Sequence, residues 1–147
     1  MLTDPEKINI NNLCKDIYKA NKEKGFWPED NKRNIGEMLM LVVSELGEAI
    51  EAHRKGRMCK FDIADCENIE YPDEYNEHDV QNIIYTFDVN FFKENVKDTF
   101  EDEIADAFIR LFDMCGGLNI DIYNHIMFKL EYNKTREKLH GKQYWKF

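Results

Sequence analysis

Residues 38–52 read MLMLVVSELGEAIEA, and this stretch decides the fold class. On a helical wheel of about 100° per residue, Glu45 lies at the centre of the apolar stripe and not on its polar side. The residues within about 60° of it are Met38, Leu41, Val42, Ala49 and Ala52. A carboxylate buried there without a partner costs several kcal/mol, so we expect an arginine, a proton or a metal ion beside it.

Two pairs of carboxylates stand at helical spacing. Glu45 and Glu48 are three residues apart, and so are Glu103 and Asp106 in DEIADAF. Three residues turn a helix through about 300°, so the members of each pair share one face. Four carboxylates suit a hard cation, which prefers oxygen ligands. The alternative for the later pair is an exposed polar strip in which Asp106 pairs with Arg110.

The composition argues against several classes of partner. The 147 residues carry a formal net charge of −9, which disfavours nonspecific binding to nucleic acid or to anionic membranes. The longest apolar run, residues 38–43, is too short to cross a bilayer, and the first residues lack a signal-peptide pattern. We therefore expect one cytoplasmic domain, residues 1–147, whose four cysteines are free thiols.

Helix signals predict an all-α four-helix bundle with short connections. The expected helices cover about 3–25, 31–55, 100–115 and 121–134. Glycines end the first three, at Gly25, Gly56 and the Gly116-Gly117 pair, and Asp121 caps the fourth. The apolar positions expected in the core of the third helix are Ile104, Ala107, Phe108, Leu111 and Cys115.

Residues of about 58–90 differ in character from the helices. Between Arg57 and Asp98 the chain has 11 acidic residues and 4 basic ones. A helical period is not sustained there, so a short helix, a hairpin or little regular structure all remain open. We interpret this stretch as an acidic insertion between the second and third core helices.

Three segments resemble the MazG-like all-α nucleoside triphosphate pyrophosphohydrolases, in the order found in that family. They read RNIGEMLMLVVSELGEAIEAHRKG, EDEIADAFIRLFDMCGGLNID and KLEYNKTREKLHGKQY, and they cover most of residues 31–57 and 99–144. The chain departs from the family at Ser44, where an acidic residue is common, and in the long separation of its two acidic motifs.

The resemblance implies an enzyme that uses Mg²⁺, with Mn²⁺ as the alternative, to cleave a (deoxy)nucleoside triphosphate to the monophosphate and pyrophosphate. Such enzymes act in nucleotide-pool house-cleaning. It implies that Glu45, Glu48, Glu103 and Asp106 are the catalytic and metal-binding residues. It also implies a homo-oligomer, either a dimer or a tetramer.

Substrate-binding residues follow in part from the same resemblance. Lys129 and Asn133 lie four residues apart and so share a helix face; the resemblance implies that they contact phosphate and sugar. Arg136 offers a further cation. Trp27 either stacks on a base or is buried in the core.

Two other functions are compatible with paired acids on helices. A di-iron carboxylate bundle uses Glu-x-x-His on two helices, whereas the pairs in this chain contain only carboxylates. A non-catalytic interaction protein that keeps the MazG-like fold would use the acidic insertion as its binding surface. An iron assay and a measurement of pyrophosphate release separate these alternatives from the enzyme.

Overall fold

Helices are the only regular secondary structure in the part of the chain that is described. A computed structural model of the protein describes residues 10–30, 32–60 and 89–137. The helices within these ranges are α1 (Ile10–Glu23), α2 (Ile35–Arg54), α3 (Val89–Asn95), α4 (Phe100–Gly117) and α5 (Ile122–Lys134). The all-α prediction is confirmed for these residues, and the four-helix arrangement stays a prediction.

Several helix ends lie where the sequence placed them. Gly25 and Gly56 have φ angles of +83° and +67°, the left-handed conformation that commonly follows a helix end. The side chain of Asp121 accepts a hydrogen bond from the backbone N–H of Asn124 at 3.2 Å. Asp121 is therefore the N-cap of α5, as predicted.

The end of α4 differs from its prediction. The helix continues to Gly117, and Asn119 takes the left-handed turn with a φ of +52°. The two glycines serve packing instead of helix termination. A Cβ atom on Gly116 would overlap the carbonyl oxygen of Cys14, and one on Gly117 would overlap the indole ring of Trp27. Glycine is required at both positions because backbone and ring approach the helix so closely.

The chain divides into two compact units, one formed by Met1–Asn34 with Leu111–Phe147 and the other by Ile35–Arg110. In the first unit, Trp27 is buried and packs edge-on against the ring of Tyr18, with centroids 5.1 Å apart. Its indole N–H donates to the carboxylate of Asp113, at 2.9 and 3.0 Å from the two oxygens. This hydrogen bond satisfies the buried Asp113 side chain.

Asn11 connects α1 to the beginning of α5 within the first unit. Its side-chain amide donates to Asp121 at 2.7 Å, and its carbonyl oxygen accepts from the backbone N–H of Tyr123 at 3.1 Å. The hydrogen bonds from Asn11 and Asn124 hold the pKa of Asp121 below its usual value. A charged Asp121 is the form that caps a helix best.

In the second unit, α2 carries two parallel rows of residues. The buried row is Met38, Val42, Glu45, Ala49 and Ala52. The second row has the same spacing of three and four residues but is exposed, and it consists of Leu39, Val43, Leu46 and Ile50. The two rows are offset by one residue, so they lie about 100° apart around the helix axis, and the apolar surface of α2 is wider than the buried row alone.

Helix α4 buries Ala107 and Cys115 as expected, but it also buries Glu103 and leaves Phe108 exposed. Glu103 and Ala107, one turn apart, are buried, whereas Phe108 is 53% exposed. The prediction that Phe108 belongs to the core is therefore wrong. Phe108 lies about 100° around the helix from Ala107, so the face that buries Glu103 leaves the phenyl ring outside.

Some predicted features fall outside the described residues. They include residues 61–88, which make up most of the predicted insertion, and residues 3–9, the predicted beginning of the first helix. Within the described ranges, none of the helices has the length and apolar character that a membrane-spanning segment needs.

Replacement of Gly116 by alanine should lower the free energy of unfolding by about 1–3 kcal/mol, because the added methyl group overlaps a backbone oxygen. Gly47→Ala is the matched control, since a Cβ at that helical position meets nothing within 4 Å. It should stabilise the protein by up to about 1 kcal/mol through helix propensity. Denaturant unfolding measures both variants, and equal stabilities would contradict the packing role of Gly116.

Candidate metal centre

Three of the predicted carboxylates converge in the second unit. One oxygen each from Glu45 on α2 and from Glu103 and Asp106 on α4 lie within 4.8 Å of one another. Glu45 and Glu103 are each only 6% exposed, and Asp106 is more accessible. We call these three residues the acidic cluster. Its donors are all oxygen atoms and come from two helices, an arrangement that can hold a hard divalent cation.

Glu48 lies beside the acidic cluster but is not one of the three converging carboxylates. Its side chain lines a neighbouring groove together with that of Glu103. Its charge is close enough to raise the pKa of Glu103. The structure thus brings together three of the four predicted ligands, and metal binding by Glu48 stays a prediction.

Arg110 is the partner that the buried Glu45 requires. The Nε atom and a terminal nitrogen of its guanidinium each lie 2.5 Å from the same oxygen, Oε1 of Glu45. Glu45 on α2 thus pairs with an arginine on α4. Arg110 also acts electrostatically on Asp106, where it opposes the rise of the carboxyl pKa, but its ion pair is with Glu45. The sequence alternative of an Asp106–Arg110 ion pair is not what forms.

Burial and mutual repulsion make the ionised cluster costly without a cation. Burial raises the pKa of Glu103, and the charges of Glu48, Asp102 and Glu45 raise it further. Burial also raises the pKa of Asp106, again with Asp102 and Glu45 adding to the effect. A divalent cation favours the ionised carboxylates and so removes this cost.

A groove of about 560 Å³ adjoins the cluster in the same unit, a volume typical of small-molecule sites. Glu48 and Glu103 line it, and so do the cationic side chains of Lys55 and Arg57. From the sequence, these cations are expected mainly to complement the C-terminus of α2. Their place in a groove with the acidic residues also depends on the hydrogen bond from the Phe100 N–H to the Arg57 carbonyl, a contact between distant residues that the sequence pattern does not predict.

The predicted substrate-binding residues lie in the first unit. Asn133 and Lys129 are on α5, and Lys129 Nζ lies 5.0 Å from the ring centroid of Tyr132. The guanidinium carbon of Arg136 lies 6.0 Å from the same centroid. Trp27 is buried, as its core alternative requires. The substrate-binding roles of these four residues stay predictions.

Glu103→Gln should stabilise the metal-free protein at neutral pH, by an amount that shrinks as the pH falls. In the folded protein the pKa of Glu103 is raised, so the folded state takes up its proton at a higher pH than the unfolded chain does. Stability is consequently lost as the pH rises above about 4. The glutamine variant lacks that charge and avoids the loss.

Thermal unfolding in EDTA at pH 4 and pH 7 measures this effect. The two proteins should have similar Tm values at pH 4, and the variant should have the higher Tm at pH 7. Glu131→Gln, at an exposed position on α5, controls for the general effect of removing a charge. A gain that does not depend on pH would contradict the repulsion within the cluster.

Comparison with known proteins adds no relative to this description. No family model matches the chain, and neither a curated protein nor a solved structure matches it. The functional interpretation therefore rests on the geometry and charge of the acidic cluster, together with the sequence motifs that contribute it.

Proposed function

We propose that the chain is a divalent-cation-dependent nucleoside triphosphate pyrophosphohydrolase. The observation that carries the proposal is the convergence of Glu45, Glu103 and Asp106 in a mostly buried site. Three carboxylates suit Mg²⁺, with Mn²⁺ as the alternative, better than metals that prefer nitrogen or sulfur ligands. A triphosphate would be repelled by this cluster unless a cation neutralised the carboxylates. A cation bound at the cluster would therefore both compensate the buried carboxylates and attract the anionic substrate.

The proposed reaction is the attack of water on the α-phosphorus of the substrate. A bond forms between the water oxygen and the α-phosphorus, and the bond from the α-phosphorus to the bridging oxygen breaks. Its electron pair leaves on pyrophosphate, and the nucleoside monophosphate remains. A bound cation supplies charge compensation for the phosphates and a lower pKa for water.

Within this proposal, the acidic cluster holds the cation and Glu48 accepts the proton of the attacking water. Glu48 suits that role because it lines the adjoining groove and is not one of the converging ligands. Lys129, Asn133 and Arg136 are assigned to sugar and phosphate, as the family resemblance implies. The activity would serve nucleotide-pool house-cleaning in the cytoplasm.

Substitution of the acidic residues tests the proposal directly. Asp106→Asn and Glu48→Gln should each lower the rate of Mg²⁺-dependent pyrophosphate release at least roughly a hundredfold, the usual scale for a lost acid–base group or metal ligand. Glu131→Gln should retain full activity because that residue is exposed on α5. The substrate for this assay is first identified by a screen of common and modified triphosphates. Circular dichroism then checks that the variants are helical. Near wild-type turnover in both acidic variants would contradict the proposal.

We also propose that the protein is a homo-oligomer that associates through the exposed row of α2. Leu39, Val43, Leu46 and Ile50 are all at least 43% exposed, and their spacing matches the seam of paired helices. The first turn of α2 is acidic and its last turn is basic. Two antiparallel copies would therefore place opposite charges side by side.

Light scattering of the purified protein measures the assembly. The wild-type chain should have the mass of a dimer or tetramer, and Val43→Glu should reduce that mass because it places a charge in the seam. Phe26→Glu, at a 62% exposed apolar position outside α2, should leave the mass unchanged. A monomeric wild type, or an unchanged mass in the Val43 variant, would overturn this interface.

A further inference from the structure

We propose that the groove beside the acidic cluster binds the pyrophosphate end of the substrate, as a complex with the divalent cation, through Lys55 and Arg57. This inference rests on the proposed function and adds the direction in which the triphosphate lies. The charges that line the groove, the burial of Glu103 and the backbone bonds of Arg57 support it.

The groove is acidic overall, yet it contains two cations. The ionisable residues that line it are Glu48, Glu51, Lys55, Arg57, Asp98 and Glu103. Four carboxylates against two cations repel a free anion, whereas an anion that arrives with a divalent cation is attracted. A metal-bound polyphosphate has this combination of charges.

In the part of the chain that is described, Lys55 is already paired with a carboxylate, whereas Arg57 is not. Lys55 forms an ion pair with Glu51 at 3.5 Å, and Glu51 is also paired with Arg54 at 2.8 Å. Arg57 lines the groove as well, and it forms no ion pair among the described residues. Its guanidinium, with donors that match two phosphate oxygens at once, is available to an anion.

Glu103 joins the groove to the acidic cluster. It is 94% buried, it lines the groove, and one of its oxygens converges with those of Glu45 and Asp106. Within the described part of the chain, its carboxylate has no hydrogen bond or ion pair. Because its carboxylate oxygens have no partner in the described ranges and are not fully enclosed, a cation held by Glu103 would face the groove.

The backbone fixes Arg57 in its place. After the turn at Gly56, the N–H of Arg57 donates to the carbonyl of Ala52 at 2.9 Å. The carbonyl of Arg57 accepts from the N–H of Phe100 at 2.9 Å, which ties the residue to the first turn of α4. Because both peptide groups are held, little backbone entropy is lost when the side chain binds a phosphate.

The order of charges along α2 and the turn that follows it sets the direction of the substrate. Glu48 and Lys55 are separated by two helical turns, about 10 Å. A cation at the acidic cluster would hold the α-phosphate region, and the β- and γ-phosphates would extend toward Lys55 and Arg57. The pyrophosphate that leaves is thus bound by the groove, and the nucleoside lies away from these cations.

Calorimetric titration of the full chain with inorganic pyrophosphate, in Mg²⁺ and separately in EDTA, tests the inference. Wild-type protein should bind pyrophosphate in Mg²⁺ and not in EDTA. Arg57→Gln should raise the Kd in Mg²⁺ roughly tenfold, as expected for a lost hydrogen bond to a charged group, and Lys55→Gln should raise it by a smaller factor. Arg54→Gln is the matched control, because Arg54 is adjacent but pairs with Glu51 and does not line the groove.

The outcomes separate this inference from the proposed function. If wild-type protein does not bind Mg²⁺-pyrophosphate, or if Arg54→Gln weakens binding as much as Arg57→Gln does, the inference is overturned. It is also overturned if triphosphates are hydrolysed but both groove variants bind pyrophosphate like the wild type. If pyrophosphate binds through Arg57 but no triphosphate is hydrolysed, the groove site stands and the proposed function fails. Lys55→Gln decides the matter should Arg57→Gln fail to fold.

Discussion

The second unit depends on a carboxylate that faces the interior of the protein. Glu45 occupies the buried row of α2, where Met38, Val42, Ala49 and Ala52 would otherwise form a continuous apolar surface. Its charge is compensated by the guanidinium of Arg110 on α4, so the ion pair joins these two helices. Two of the guanidinium nitrogens of Arg110 contact the same oxygen of Glu45. The ion pair therefore compensates the charge of Glu45 and leaves the charge of Glu103 uncompensated. The cluster is therefore only partly compensated by protein groups, and burial makes the remaining charge expensive.

Sequence reasoning predicted the local features whose cause is local. The central position of Glu45, the glycine turns at Gly25 and Gly56 and the cap at Asp121 all follow from periodicity or from backbone preference, and the structure confirms them. The remainder depended on contacts between distant parts of the chain. The pairing of Arg110 with Glu45, 65 residues away, competes with a local partner at i−4 that the sequence favours equally well.

Two glycines and one phenylalanine also depend on contacts between distant residues, which the local sequence does not predict. Gly116 and Gly117 read as a helix stop, but they are small because Cys14 and Trp27 approach them. Phe108 reads as core because it is apolar and lies beside Ala107, yet α4 turns Glu103 inward and leaves the ring exposed. The glycines have a packing role that depends on residues distant in the sequence, and the exposure of Phe108 depends on which face of α4 is buried. The two i,i+3 acidic pairs predicted which carboxylates could lie close together, and three of the four do; their role as a metal site stays a prediction.

Direct metal titration tests whether the acidic cluster holds a divalent cation, as proposed. Mn²⁺, followed by the loss of its free electron paramagnetic resonance signal, should bind wild-type protein stoichiometrically and be displaced by Mg²⁺. Asp106→Asn should weaken this binding at least roughly tenfold, the scale reported for disturbed metal sites. Glu131→Gln should bind like the wild type. Equal Mn²⁺ binding by the Asp106 and Glu131 variants, or no binding by the wild type, would contradict the account.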